Sequence, residues 1–192
     1  MKKILLILGH PNKETFCGSL AESYKKGALE AGAEVKEISL GDLQFDPILH
    51  LGYKEIQELE PDLVKSQELI KWADHLVWVY PTWWATMPAL MKGFIDRIFL
   101  PGFGFKYRKN SSLWDKLLKG KTARLIITLD APAWYNFLFY GNAGQKAMKR
   151  ATLEFCGIKP VRITTIGSVK MLTSKQLKTW IEKIEKQGAE LR

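Results

Sequence analysis

Apolar positions in this chain fall into two kinds of pattern, short runs of strand length and longer stretches of helical period, and the two kinds alternate. Ile4–Leu8 is apolar throughout, as expected of a parallel strand covered on both faces. Further strands are predicted at Val35–Leu40, Leu76–Tyr80, Ala123–Leu129 and Val161–Ile166. A helix is predicted to follow the loop Gly9–Ser19 and run to about Ala31, with Leu20, Tyr24 and Ala28 on one face and Gly32 as its stop. A second starts at Pro61, where a missing N–H costs nothing, and runs to about Ala73. Met87–Phe99 carries Leu90, Met91, Phe94, Ile95 and Ile98 at helical spacing. Another helix is expected over about Gln145–Phe155, stopped by Gly157. The last opens on a capping box, Thr173-Ser-Lys-Gln176, ahead of Leu177, Trp180, Ile181 and Ile184. Gly41–Glu60, with Asp46-Pro47, reads as an irregular connection, and Asn136–Gly144 as an aromatic loop.

Five strands alternating with helices imply an α/β fold, a doubly wound parallel sheet in one domain over residues 1–192; the order 2-1-3-4-5 is expected for it, although alternation alone does not dictate an order. Such a sheet binds ligands beyond the carboxyl ends of its strands, where the winding reverses. For this order that point lies between strands 1 and 3. The loops there, Gly9–Ser19 and Pro81–Pro88, are also the two most chemically distinctive in the chain.

The 192 residues are 46% hydrophobic and 26% charged, a globular composition. The formal net charge of +9 favours anionic partners, among them phosphate-bearing cofactors, but the lysines are spread out and also fit a solvated surface. No recognisable module or clustered basic face points to nucleic acid. Two distant cysteines suggest neither a disulfide scaffold nor a zinc site, and a reducing cytoplasm is expected. The apolar part of the N-terminus is too short for a signal peptide, and no run approaches the roughly 20 residues of a membrane span.

The first loop ends Thr15-Phe16-Cys17-Gly18-Ser19 at a helix start. Free backbone N–H groups, the helix dipole, the Thr15 and Ser19 hydroxyls and His10 suit a phosphate, although Thr15 as a plain N-cap also fits. The second loop supplies Trp83 and Trp84, which suit a flat heteroaromatic ring, although composition alone favours packing in the core or a dimer. A third loop follows Thr128-Leu129-Asp130, with Tyr135 beyond it. The nicotinamide and P-loop glycine signatures are missing, as are the acids of a receiver and the arginine of a C-x5-R phosphatase. Cys17 therefore reads as a small loop residue rather than a nucleophile, Cys156 as core, and His50 and His75 as structural or exposed; no metal site is expected.

Gly9-His10-Pro11…Thr15-Phe16 resembles the phosphate loop of flavodoxin-like NAD(P)H:quinone oxidoreductases. Pro81-Thr-Trp-Trp84…Met87-Pro-Ala-Leu-Met-Lys-Gly-Phe-Ile-Asp-Arg-Ile-Phe99 is similar to that family's P-x-x-W…PA-x-LKGW-x-DRVF segment, and Gly102-Phe103-Gly104-Phe105 to its GFAY. The resemblance implies a non-covalent flavin, FMN or FAD, and ping-pong hydride transfer from NAD(P)H to a quinone or related acceptor. It also implies a homodimer with its sites at the interface. By the same resemblance His10, Thr15, Phe16, Cys17 and Ser19 hold the phosphate side. Pro81, Thr82, Trp83, Trp84, Thr128, Leu129 and Asp130 line the ring. Tyr135 bonds near its pyrimidine end and steadies the reduced form, and Phe105 and Tyr107 close the partner's pocket together with Trp84. Three departures stand out: Cys17 replaces the usual Asn, Leu129-Asp130 replaces Gly-Gly, and no histidine lies in Asn136–Gly141 to form the family's tyrosine–histidine relay. No extra domain for an adenosine is evident, which favours FMN. Some relatives associate with potassium-efflux transporters, so a flavin-binding regulatory subunit with little turnover is the alternative.

Overall fold

The structure is a computed structural model that describes residues 1–191. Five parallel strands form its sheet: β1 (Lys3–Leu8), β2 (Glu34–Ser39), β3 (His75–Pro81), β6 (Thr122–Thr128) and β7 (Val161–Ile166), in the order β2-β1-β3-β6-β7. With β6 and β7 as the fourth and fifth parallel strands, this is the expected 2-1-3-4-5 order. The first strand is apolar throughout because its two faces meet two different cores. Leu5 and Ile7 join Trp78, Met91, Phe94 and Leu125 on one side. Ile4, Leu6 and Leu8 join Leu20, Tyr24 and Ile184 on the other. Helices α1 (Phe16–Glu30) and α6 (Ser174–Ala189) cover the second side, and α2 (Pro61–Trp72) and α3 (Ala89–Ile98) carry Leu63, Ile70, Met91 and Phe94 into the first. The capping box of α6 forms as read, with Thr173 and Gln176 bonding reciprocally.

Gly41–Glu60 crosses α3 without regular structure beyond a short 3-10 turn at its start and a second turn at 50–53. Arg97, wholly buried, fastens it. Its guanidinium donates to the carbonyls of Asp46 and Glu58 and pairs with Glu60 at 2.8 Å. An arginine fork suits this task because it serves two carbonyls and a carboxylate at once.

Two expectations are corrected. The stretch expected to be an aromatic loop, Asn136–Gly144, is largely helical: α4 spans Ala133–Tyr140 and ends on Gly141 in the left-handed conformation. A short α5 (Ala143–Lys146) follows and continues over Ala147–Glu154 with wider, π-type hydrogen bonding. Helical period gave no signal because α4 is apolar almost all round, so no polar face alternates with an apolar one. The segment after α3 also contains an unforeseen antiparallel pair, β4 (Phe105–Tyr107) with β5 (Trp114–Lys116).

Candidate active site

Three loops meet beyond the carboxyl ends of β1, β3 and β6. Pro81 pairs with Thr128, and the Thr82 amide donates to the Thr128 carbonyl at 2.7 Å, which locks the second and third loops together. Cys17 Sγ lies 3.2 Å from Thr128 Oγ1, and the His10 and Trp83 rings meet edge-on at 5.6 Å. These two contacts tie the first loop to the others.

The first loop folds tightly around the start of α1. Asn12 N donates to His10 Nδ1 at 2.9 Å, and Glu14 N to Asn12 Oδ1 at 2.8 Å. In a neutral ring the His10 proton therefore sits on Nε2, leaving that nitrogen a donor. Thr15 caps the helix, accepting from Gly18 N at 3.3 Å, while its own hydroxyl donates to the Asn12 carbonyl. The Ser19 hydroxyl donates to the Thr15 carbonyl. Both hydroxyls are thus occupied by the backbone, whereas the amides of Phe16 and Cys17 find no partner among the described residues. Gly18 is required here, since a Cβ would stand 1.9 Å from the Lys13 carbonyl oxygen. The Cys17 side chain turns inward, and burial pushes its thiol up to about 11 against the opposing pull of Thr128, so it is no thiolate nucleophile at neutral pH. Its amide, without a partner among the described residues, is the group left to meet a ligand.

The second loop is a tight two-residue turn. Trp83 and Thr86 exchange backbone hydrogen bonds at 2.8 and 3.0 Å, and Trp84 and Ala85 between them have φ of 50° and 60°. Asn-Gly normally takes such positions, because side chains with a Cβ are strained there. The Trp84 side chain is 100% exposed, and Trp83 is partly exposed, so packing in the core of this chain does not account for either ring. Gly144 lets the start of α5 abut this turn, since a Cβ there would lie 2.4 Å from the Ala85 carbonyl oxygen.

In the third loop Leu129 is buried and held by Ile166 and Val169. Asp130 is exposed and pairs with Lys170 at 2.6 Å, so the acid in the place of a glycine carries its own countercharge. Tyr135, on the first turn of α4, stacks on Phe139 at 4.4 Å and meets Tyr140 edge-on at 5.8 Å. The neighbouring Tyr140 hydroxyl holds the Tyr135 phenol above its usual range. Sequence reasoning missed Tyr140 because a separation of five residues is not a helical contact spacing. It missed Lys170 because the pair crosses between two strand ends.

Phe105 and Tyr107 do not join Trp84 within one chain. Phe105 is buried against Phe155 at 5.0 Å, and with Tyr107, Tyr53, Met87 and Ile95 it lines a separate cleft of about 640 Å³ beside α3. A larger cleft of about 760 Å³ runs between α1, β2 and α6, with Lys13, Gly18 and Ser19 at one end. Neither cleft includes Trp84 or Tyr135 in its lining. His50 is exposed and pairs with Asp46 at 2.7 Å, and His75 is buried. Among the described residues no cluster of His, Cys, Asp and Glu is placed to hold a metal, and no helix is long and apolar enough to cross a membrane.

Comparison with known proteins agrees with this architecture. An uncharacterized NAD(P)H oxidoreductase of Haemophilus influenzae is 28% identical over 185 residues, covering 93% of this chain and 90% of that protein. NAD(P)H dehydrogenase [quinone] 1 of Cavia porcellus is 29% identical over 185 residues, covering 83% of this chain and 66% of that protein. Among solved structures, Smu.1420 of Streptococcus mutans superposes with a TM-score of 0.84 at 28% identity, over 98% of this chain and 99% of that one. An FMN-dependent NADH-azoreductase of Bacillus anthracis shares the fold, at a TM-score of 0.78 and 22% identity over 100% of this chain and 99% of that one. Residues 2–188 match the model of the Flavodoxin_2 family, a flavodoxin-like fold, and the chain belongs to that family.

Proposed function

We propose that the chain is a flavin-dependent oxidoreductase that takes electrons from NAD(P)H and passes them, in ping-pong fashion, to quinones or related electron-poor aromatics. FMN is the favoured flavin and FAD the alternative. The observation that carries this reading is the meeting of three loops at the carboxyl ends of β1, β3 and β6. They offer free amides and a histidine donor at one end and unburied tryptophans at the other. The NAD(P)H oxidoreductase and quinone dehydrogenase names of the relatives support it.

In this reading the amides of Phe16 and Cys17, the positive end of α1 and His10 Nε2 bind the flavin phosphate. Thr15 and Ser19 shape that loop through their backbone bonds. Backbone groups of Pro81–Trp84 and Thr128–Asp130 orient the ring, which when bound accepts hydride and hands it on. Lys170 offsets the Asp130 charge beside it. Tyr135, whose phenol keeps its proton at neutral pH, holds that proton beside the ring as the acid of the site. Trp84 shields one side of the acceptor from water. A second copy of the chain completes the pocket with its own Phe105 and Tyr107, which explains why these residues stand apart from Trp84 in a single chain.

The test is purification followed by release of the cofactor and its identification by mass, then titration of the holoprotein with NADH and NADPH. The expected result is a yellow protein whose absorbance bleaches with one or both, and whose steady-state quinone reduction exceeds that of free flavin. A colourless protein that does not rebind FMN or FAD overturns the proposal. Bound flavin without turnover leaves a regulatory flavoprotein instead of an enzyme.

A further inference from the structure

Helix α4 poses a separate problem. Trp134, Phe137, Leu138, Phe139 and Tyr140 are each between 49% and 65% exposed. The only polar side chain of the helix apart from its tyrosines, Asn136, points inward and donates to Asn142 at 2.7 Å. Ring contacts to Tyr135 shelter parts of Trp134, Phe139 and Tyr140, but Phe137 and Leu138 have no such neighbour. An apolar surface this dense is costly in water and calls for a partner.

Charge identifies the kind of partner. From Ala131 to Leu153 there is no Asp or Glu, and Lys146, Lys149 and Arg150 follow the helix directly. Lys146 and Arg150 form no ion pair among the described residues, and the Lys146 ammonium lies beside Gly141 at the end of α4. Asp130, the acid that precedes this stretch, is already held by Lys170. A mixture of Trp, Tyr, Phe and Leu next to unpaired lysine and arginine matches the headgroup layer of an anionic bilayer: aromatic rings settle at that depth, and basic side chains meet the lipid phosphates. A helix of eight residues cannot span, so it would lie in the interface plane.

We propose that α4 docks the protein peripherally on an anionic membrane surface, with Trp134, Phe137, Leu138 and Phe139 inserted among the headgroups and Lys146 and Arg150 on the phosphates. Docking stands apart from the oxidoreductase reading. One corollary rests on that reading: Tyr135 and the Trp84 turn, which abuts α5, would then face a lipid-dissolved acceptor.

The experiment is co-sedimentation of the holoprotein with vesicles rich in phosphatidylglycerol, with pure phosphatidylcholine vesicles as control, at low and high salt. The expected result is pelleting with the anionic vesicles that weakens with salt. The double variant Phe137→Ser/Leu138→Ser should weaken it by about tenfold or more while reduction of a water-soluble quinone and the circular dichroism spectrum stay unchanged. Lys146→Gln/Arg150→Gln should remove the difference between the two lipids. Absence of pelleting with either lipid overturns the proposal, and so does a double variant that pellets like the parent. The same holds if Phe137→Ser/Leu138→Ser converts a dimer to monomers in light scattering, because a second copy then covers α4. Pelleting, circular dichroism and light scattering do not depend on turnover with NAD(P)H, so failure of docking and failure of the oxidoreductase reading are distinguishable.

Discussion

Single residues decide what the candidate site can hold. Gly18 is the sharpest case, since the Lys13 carbonyl occupies the space a side chain would need. Gly18→Ala must push the loop away from the α1 amides. Binding of FMN to the apoprotein, followed by flavin fluorescence quenching, is expected to weaken by about tenfold or more while the rest of the sheet survives. Trp84 is wholly exposed, so Trp84→Ala leaves the core untouched. A fall in quinone turnover with an unchanged melting temperature is expected, and Tyr135→Phe should behave the same way; if neither alters the rate, the ring does not lie where these residues are. Tyr140→Phe tests the neighbour that the sequence hid. It removes the hydroxyl that holds the Tyr135 phenol up, so the Tyr135 titration, read by ultraviolet difference absorbance, should move down in pH.

At the scale of elements, the long Gly41–Glu60 connection is an ordered strap rather than a loose loop, and Arg97 on α3 is its fastening. The helical spacing of Leu90, Met91, Phe94, Ile95 and Ile98 was legible, and most of those side chains face the core. That Arg97 is buried was not, because nothing local to an arginine shows that two carbonyls and a carboxylate will be brought to it from another segment. Glu60→Ala leaves the guanidinium buried with only carbonyl partners. The expected cost is roughly 2 kcal/mol in urea unfolding, below that of a fully enclosed pair because Glu60 is partly exposed. The strap should also become sensitive to protease before the domain unfolds. Helix α4 shows the opposite limit. Its apolar character was plain in the sequence, but its helicity was not, because an exposed helix without a polar face has no period to read.

At the scale of the whole molecule, a buried base contributes to the dependence of stability on acid. His75 sits at the start of β3, wholly enclosed, with Nδ1 2.7 Å from Thr122 Oγ1 and Nε2 without a partner among the described residues. Burial first, then the charges of Lys2, Arg124 and Arg162, depress its pKa to about 3. The unfolded chain takes up this proton near pH 6.5, before the folded one does. The His75 contribution is therefore complete above about pH 6.5 and is lost as pH falls toward 3. His75→Asn keeps a hydrogen-bonding group near Thr122 but cannot protonate. Urea unfolding at pH 7 and at lower pH should show a smaller acid decline in the variant than in the parent.

Much of this architecture was written in one dimension. Runs such as Ile4–Leu8 could satisfy two apolar faces only as interior strands of a covered parallel sheet. The alternation of such runs with helical stretches then gave a doubly wound parallel sheet, and the expected order 2-1-3-4-5, which the structure bears out, pointed to the edge between β1 and β3. Local chemistry, such as the Thr15 and Thr173 caps, was equally legible because its partners lie three residues away. Tertiary structure alone decided the rest. It turned the Cys17 thiol inward onto Thr128, and it set Lys170 on Asp130 and Tyr140 on Tyr135. It placed Phe105 and Tyr107 in a cleft apart from Trp84. Three of the four need the approach of a distant segment, and the meeting of Tyr140 with Tyr135 turns on the direction of two side chains of one helix; neither leaves a periodic trace along the chain.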